Sequence, residues 1–284
     1  MVVRGAAPFR RIAIVGVGLI GGSMGLALSR RARGLRIVGV DRPRVLHAAR
    51  RRGAIHGGTP SLARGLAGAD LVILAIPVDG ILRILPRLAR LLSPAAVVTD
   101  AGSTKEAVVA AARRAGLGGR FVGGHPMAGS ERSGIRSASG TLFTGAPWIL
   151  CPASVAAGRS AAGRVAALVE RLGARPAVLS ARTHDRTMAR LSHLPQLISV
   201  ALVNAAASSA GGRLHLAGPA FRQMSRFAAS PPALWKGILR TNRGATARAI
   251  DEFIHELRVL RAALGEGPGP HFRRAARARR RLQG

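Results

Sequence analysis

His125 is the residue whose surroundings best suit the movement of a proton. It lies in Gly123-Gly124-His125-Pro126-Met127-Ala128-Gly129-Ser130-Glu131, just after the apolar pair Phe121-Val122. An imidazole changes charge near neutrality, so it can take or return a proton under mild conditions. A second polar turn, Asp100-Ala101-Gly102-Ser103-Thr104-Lys105, follows the apolar run Ala96-Val97-Val98-Thr99. Ser103 there can hydrogen-bond a substrate or the imidazole, and either Ser103 or Thr104 can cap a helix spanning Lys105 to Arg114. A third segment, Gly16-Val17-Gly18-Leu19-Ile20-Gly21-Gly22-Ser23, stands between Ile12-Ala13-Ile14-Val15 and Met24-Gly25-Leu26-Ala27-Leu28. That is a strand, a glycine turn and the start of a helix. Backbone N–H groups at such a turn hold a pyrophosphate, with the first glycine for the turn, the second for close approach and the third for helix packing.

These residues need elements that bring them to one edge. Ile37-Val38-Gly39-Val40-Asp41 reads as a second buried strand, ending in an acid twenty residues past Gly21, where a carboxylate meets the ribose of a dinucleotide. Asp41 favours NAD, although Arg42 beside it could neutralise the phosphate of NADP. Gly16, Gly18, Leu19, Ile20, Gly21, Asp41, Arg42 and the Ile76-Pro77 strand end form the expected cofactor-binding set. Asp70 to Pro77, Ala96 to Asp100 and Phe121 to Gly124 read as further strands, and unbroken apolarity marks burial on both faces. Helices are expected over Arg44–Arg52, Leu62–Leu66, Ile81–Leu92 and Lys105–Arg114. Trp148 to Leu150 and Ala177 to Leu179 read as strands around a helix from Val155 to Leu172. The pattern is α/β, an N-terminal Rossmann-type doubly wound parallel sheet over residues 1–180.

From Thr183 onward the strands cease. Arg182 to Ala207 reads as one long helix, with shorter ones over Ala220–Ala228 and Ala233–Arg240. Ala245 to Leu264 carries Ile250, Phe253, Ile254, Leu257, Leu260 and Leu264 as one stripe. An all-helical domain over residues 181–266 follows, with wide apolar faces that imply a homodimer, and a basic, solvated tail occupies 267–284.

Composition limits the alternatives. The 284 residues include 44 basic and 12 acidic ones, a net charge of +32, and all the basic ones except Lys105 and Lys236 are arginine. Such charge suits nucleic acid, but the arginines are scattered, tyrosine is absent and no nucleic-acid-binding signature appears. An arginine-rich nucleic-acid binder on a Rossmann shell is therefore the less favoured alternative. Cys151 is the one cysteine, which excludes an internal disulfide, fits a reducing cytoplasm and suits a buried small hydrophobe. No metal site and no membrane span are expected.

Taken together, Val15 to Ser23, Asp100 to Ser103, Gly124 to Glu131, Ser192-His193-Leu194-Pro195 and Phe221 to Trp235 resemble, in order, the landmarks of the prephenate dehydrogenases of tyrosine biosynthesis. The resemblance spans nearly the whole chain. It implies oxidation of the ring C4 hydroxyl of prephenate by hydride transfer to NAD, with loss of carbon dioxide to give 4-hydroxyphenylpyruvate, in a dimer built through the helical domain. It implies that His125 accepts the hydroxyl proton, that Ser103 assists and that Arg226 binds a substrate carboxylate, with His193 and Trp235 lining the pocket. Gln196 stands where many relatives have a second histidine, and Gln223 replaces an acid common near the substrate arginine. Arogenate, the amino analogue of prephenate, is therefore the alternative substrate. A hydroxyacid dehydrogenase with a catalytic lysine would need Lys105 or Lys236, and neither lies on the helix where those enzymes carry theirs.

Overall fold

The computed structural model describes residues 9–31, 34–129, 132–154, 159–265 and 267–281. The motif residues Ser130 and Glu131 and the expected helix start at Val155 lie outside them. Among the described residues, β1 (Arg11–Val15), β2 (Arg36–Val40), β3 (Gly57–Thr59), β4 (Leu71–Leu74), β5 (Val97–Asp100), β6 (Phe121–Pro126), β7 (Pro147–Pro152) and β8 (Arg175–Val178) form one sheet in the order β3-β2-β1-β4-β5-β6-β7-β8. Side chains alternate strictly across it. Ile12, Ile14, Ile37, Leu71 and Ile73 enter one apolar cluster, whereas Ala13, Val15, Val40, Val72 and Leu74 enter the other, so the sheet is buried on both faces.

From β3 to β6 every pairing is parallel, as the apolar runs predict. The expected parallel order ends there, because β7 runs antiparallel to β6, and β8 is parallel to β7. A parallel neighbour requires a crossover, usually a helix, to carry the chain back. Between β6 and β7 the described residues contain a single 3₁₀ turn at Ile135–Ser137 and no α-helix. The edge strand β3 was not expected from the sequence, since Gly57-Gly58-Thr59 offers no apolar residue to mark it.

The helices are α1 (Leu19–Arg31), α2 (Pro43–Arg51), α3 (Leu62–Leu66), α4 (Val78–Leu91), α5 (Glu106–Arg114), α6 (Arg159–Arg171), α7 (Ala181–Met188), α8 (Leu194–Ser209), α9 (Pro219–Ser225), α10 (Pro232–Thr241), α11 (Arg243–Ala262) and α12 (Gly269–Arg280). The single helix expected from Arg182 to Ala207 is divided by a π-helical turn at Ala189–His193. Pro195 supplies the reason: it has no N–H, and its ring collides with the carbonyl four residues earlier, so the local turn widens. The expected basic tail is helical in α12, and its residues are exposed or partly exposed.

The chain forms two compact units, Met1–Met188 with Ala229–Asn242, and Ala189–Ala228 with Arg243–Gly284. Although helical, α7 and α10 belong to the sheet-bearing first unit. Arg240 of α10 meets Asp79 of α4 at 2.5 Å, and Thr241 shares a 2.7 Å hydrogen bond with Thr104. Among the described residues no helix is long and apolar enough to cross a membrane.

Candidate active site

The strand order reverses between β1 and β4, and the crevice beyond the strand ends at such a switch is where open α/β sheets bind ligands. The glycine turn leaves β1 there. Gly16 has φ +90°, and a Cβ on it would sit 2.4 Å from the Ala75 carbonyl and 2.5 Å from the Ile76 side chain. A Cβ on Gly21 would sit 2.0 Å from the Gly16 carbonyl, so helix and turn close on each other. Around Gly18, by contrast, a Cβ would meet nothing within 4 Å. The turn is thus packed from below and open where a pyrophosphate would approach bare backbone. Leu19 and Ile20, half-buried, begin α1, and Ile76 and Pro77 follow β4. Asp41 follows β2, accepts the Val17 N–H at 2.8 Å on Oδ2 and the Arg42 N–H at 2.7 Å on Oδ1, and remains partly exposed, with the Arg42 side chain in solvent. These residues fit a dinucleotide.

His125 stands on β6 itself rather than in a loop after it. The antiparallel partner is the cause, because pairing with β7 extends β6 through His125↔Ile149 and Pro126↔Trp148. Half-buried, His125 shares a 2.8 Å hydrogen bond between its Nδ1 and Nε2 of His184. The Nδ1 of His184 is in turn 2.7 Å from Oδ1 of Asp185. His184 and Asp185 come from α7 and are buried. Asp185 also accepts the backbone N–H groups of Lys105 at 2.7 Å and Glu106 at 2.9 Å.

That carboxylate replaces the cap expected from Ser103 or Thr104. The N-cap residue of α5 is Lys105, which makes no side-chain cap, and Asp185 binds the first N–H groups from across the fold. An anion suits this place, since a helix N-terminus carries partial positive charge. Ser103 is half-buried in the turn between β5 and α5. Lys105 is fully buried, and its ammonium donates to Oδ2 of Asp100. Asp100 further accepts the N–H groups of Gly102 at 2.8 Å and Gly124 at 3.1 Å, so one carboxylate ties the end of β5 to the residue before His125. Lys105 is thereby occupied as a structural cation.

Sequence periodicity does not reveal His184 and Asp185, because it marks apolar faces and says nothing of a buried polar pair. A signal existed: an acid next to a histidine on the inner side of a helix, in a chain with only 12 acids.

Trp235, also in the first unit, is partly buried on α10. His193 and Arg226 lie in the second unit. His193 is buried in the π-turn, with its Nδ1 3.4 Å from the Thr246 hydroxyl of α11. Arg226 is exposed in a 3₁₀ turn, its guanidinium carbon 4.5 Å from the centre of the Phe227 ring. Gln196 is buried, and its amide donates to the Phe227 carbonyl at 2.8 Å, bracing the turn that carries Arg226. Gln223 is exposed. Among the described residues no cluster of His, Cys, Asp and Glu could hold a metal ion.

A Rossmann-type nucleotide turn, a histidine near the same strand ends and a following helical unit define a dinucleotide-dependent oxidoreductase. Residues 24–178 match the nucleotide-binding domain of prephenate dehydrogenase, and residues 180–277 match the dimerization domain of prephenate dehydrogenase. The chain belongs to the prephenate dehydrogenase family. Over 257 residues it is 35% identical to the prephenate dehydrogenase of Bacillus subtilis (strain 168), covering 88% of this chain and 69% of that protein. Among solved structures it resembles prephenate dehydrogenase from Aquifex aeolicus in complex with hydroxyphenyl propionate and NAD+, with a TM-score of 0.89, 31% identity and coverage of 97% of this chain and 98% of the other. It also resembles Synechocystis arogenate dehydrogenase, with a TM-score of 0.81, 30% identity and coverage of 96% and 98%.

Proposed function

We propose that this chain oxidises prephenate with NAD, forming 4-hydroxyphenylpyruvate and carbon dioxide, as a cytoplasmic homodimer in tyrosine biosynthesis. The observation that carries the reading is an imidazole, His125, fixed on a strand whose end lies along the sheet edge where the glycine turn opens. NAD, held by the Gly16–Gly21 turn, Ile76, Pro77 and Asp41, would supply the hydride acceptor. Asp41 offers carboxylate oxygens to a ribose hydroxyl and repels a 2′-phosphate. His125 takes the C4 hydroxyl proton in its neutral form, so that negative charge builds on the oxygen as hydride departs. Ser103, in the neighbouring turn, assists by hydrogen bonding to the hydroxyl or to the imidazole. Arg226 binds a substrate carboxylate through its planar fork of donors, and the Phe227 ring and the Gln196 amide hold its turn in shape. His193 and Trp235 line the pocket. Residues 1–180 serve the cofactor, 181–266 serve substrate binding and dimerisation, and 267–284 form a basic extension.

The Synechocystis relative, named for arogenate, keeps that substrate in view. The test is formation of reduced cofactor with prephenate and arogenate side by side, each with NAD and NADP. Prephenate with NAD should turn over fastest. A preference for arogenate transfers the reading to the amino analogue, and no turnover combined with tight, steeply salt-dependent DNA binding transfers it to the nucleic-acid binder. His125→Asn should lose roughly 10²–10⁴-fold in turnover while NAD binding persists.

A further inference from the structure

The hydrogen bonds behind His125 run in one direction, and that direction chooses which of its nitrogens can act. Asp185 anchors the series. Its Oδ1 receives the Lys105 N–H and lies 2.7 Å from Nδ1 of His184, and its Oδ2 receives the Glu106 N–H. A carboxylate taking two backbone donors at a helix start is held as the anion, so it can only accept. Nδ1 of His184 must then carry a hydrogen. In a neutral His184 that leaves Nε2 with the lone pair, and Nε2 lies 2.8 Å from Nδ1 of His125. Nδ1 of His125 is therefore the donor, and the lone pair of its ring is on Nε2.

We propose that His184 and Asp185 are positioning residues that hold His125 as the Nδ1–H tautomer, with Nε2 as the nitrogen that accepts the substrate proton. This rests on the reading of His125 as the base. The arrangement also stabilises the product of that step. When Nε2 gains the proton, the charge on the His125 ring strengthens its Nδ1–H bond to His184, and His184 is polarised in turn by the Asp185 carboxylate. No atom is left over: one proton moves from the substrate hydroxyl to Nε2, and the two hydrogens on the Nδ1 atoms stay in place. Among the described residues, Asp100 on β5 and Lys105 before α5 stand in the neighbouring turn and pair with each other. Burial of His184 and Asp185 keeps water from competing for the relay.

Two measurements test the assignment. Nitrogen-15 NMR of the histidine-labelled full-length protein at a pH where His125 is neutral reads its tautomer without any substrate. Nδ1–H is expected. Isolated imidazole side chains favour Nε2–H, so finding Nε2–H on His125 in the wild-type protein would overturn the proposal; a doubly protonated His184 would produce that result. The second measurement is kinetic. His184→Leu should lower kcat by roughly 10–10³-fold, leave the KM for NAD nearly unchanged and displace the acidic limb of the pH–rate profile. His184→Gln, whose amide oxygen can stand at the Nε2 position and accept from His125, should recover part of the lost rate. Unchanged kcat and pH profile in His184→Leu would refute the positioning role while leaving His125 as the base. Wild-type turnover in His125→Asn would remove the base itself, and the NMR result would then decide the tautomer relay alone. Should the leucine variant fail to fold, the wild-type NMR spectrum and the glutamine variant still decide.

Discussion

The two units bury their apolar side chains in opposite ways. In the sheet unit Ile12, Ile14, Ile73, Leu85 and Phe121 are at 0–1% exposure, each packed by strands or helices of the same unit. In the helical unit the buried cluster is three alanines, Ala189, Ala245 and Ala249, with Leu194 against them, while Leu191 and Leu216 are each 70% exposed, and Ile254 and Leu257 of α11 also reach solvent. The sheet unit completes its own core. The helical unit has its larger apolar groups directed outward, where a second copy can cover them at about 1.5–3 kcal/mol per side chain. Its match to a dimerization domain agrees with that reading. The contrast teaches that stability and assembly are written on different halves of the chain, so a substitution in one half should act on one property and spare the other.

The largest effect is expected within the sheet unit. Lys105→Met removes the ammonium from a fully buried pair and leaves the Asp100 carboxylate with backbone donors alone. Such a change costs about 3–5 kcal/mol, read as a lower urea midpoint. The oligomeric state of the folded fraction should not change. A midpoint like that of the wild type would mean that Asp100 tolerates the loss and that the pair adds little.

A smaller effect is expected in the helical unit. Leu257→Glu, on the exposed face of α11, should shift the protein toward monomers by about 1.5–3 kcal/mol of dimer stability per subunit side chain, measured by sedimentation. Retention of the wild-type dimer at low protein concentration would show that this face is not the one covered.

How far the sequence reveals these halves depends on what each kind of pattern encodes. The parallel strands were legible because a strand buried on both faces must be a continuous apolar run, as Leu71-Val72-Ile73-Leu74 is. The edge strand β3 was not, because an edge needs only backbone pairing, which Gly57-Gly58 supplies without side chains. The sequence marks His125 by its neighbours but places it after the strand, since the partner that extends β6 lies more than twenty residues downstream and no local pattern predicts the pairing. Adjacent hydroxyls offer the local cap for α5, but the structure uses Asp185, eighty residues away from Lys105 in sequence. Local chemistry is readable; long-range polar pairing is not. The basic C-terminal stretch reads as a solvated tail, and its residues are exposed or partly exposed; charge says nothing of the helix α12, to which Ala275, Ala276 and Ala278 among the arginines contribute as good helix formers.

Division of labour between the units predicts paired kinetic effects of moderate size. Arg226→Ala, in the helical unit, should raise the KM for the ring substrate by roughly 10-fold or more, as for loss of a charged hydrogen bond, and leave the KM for NAD alone. Arg226→Lys should recover only part, because a point charge lacks the planar fork. Asp41→Ser, in the sheet unit, should do the reverse, reducing the preference for NAD over NADP while the KM for the ring substrate stays constant. Crossed effects in steady-state kinetics, with Arg226 altering cofactor binding or Asp41 altering substrate binding, would break the division.

The smallest effect comes from Cys151, and it separates the units most cleanly. This one cysteine lies on β7, fully buried in the sheet unit. Burial pushes its thiol up to about 12, against a weaker opposing pull from Lys105. The thiolate is the reactive form, so at neutral pH the native protein should resist alkylation, and labelling should proceed only as the sheet unit opens. The sign of the pH effect follows from the same shift. Above the ordinary thiol pKa of about 8.5 the unfolded chain releases this proton while the native chain retains it, so Cys151 lowers stability as pH rises from there toward 12. In the Leu257→Glu variant, Cys151 should stay as protected as in the wild type at neutral pH, because the sheet core does not depend on the dimer. In Lys105→Met the labelling rate should rise, since the sheet unit itself is weakened. If labelling instead accelerates in Leu257→Glu to the extent seen in Lys105→Met, the sheet unit borrows its stability from the second copy, and the contrast between a self-sufficient half and an assembling half fails.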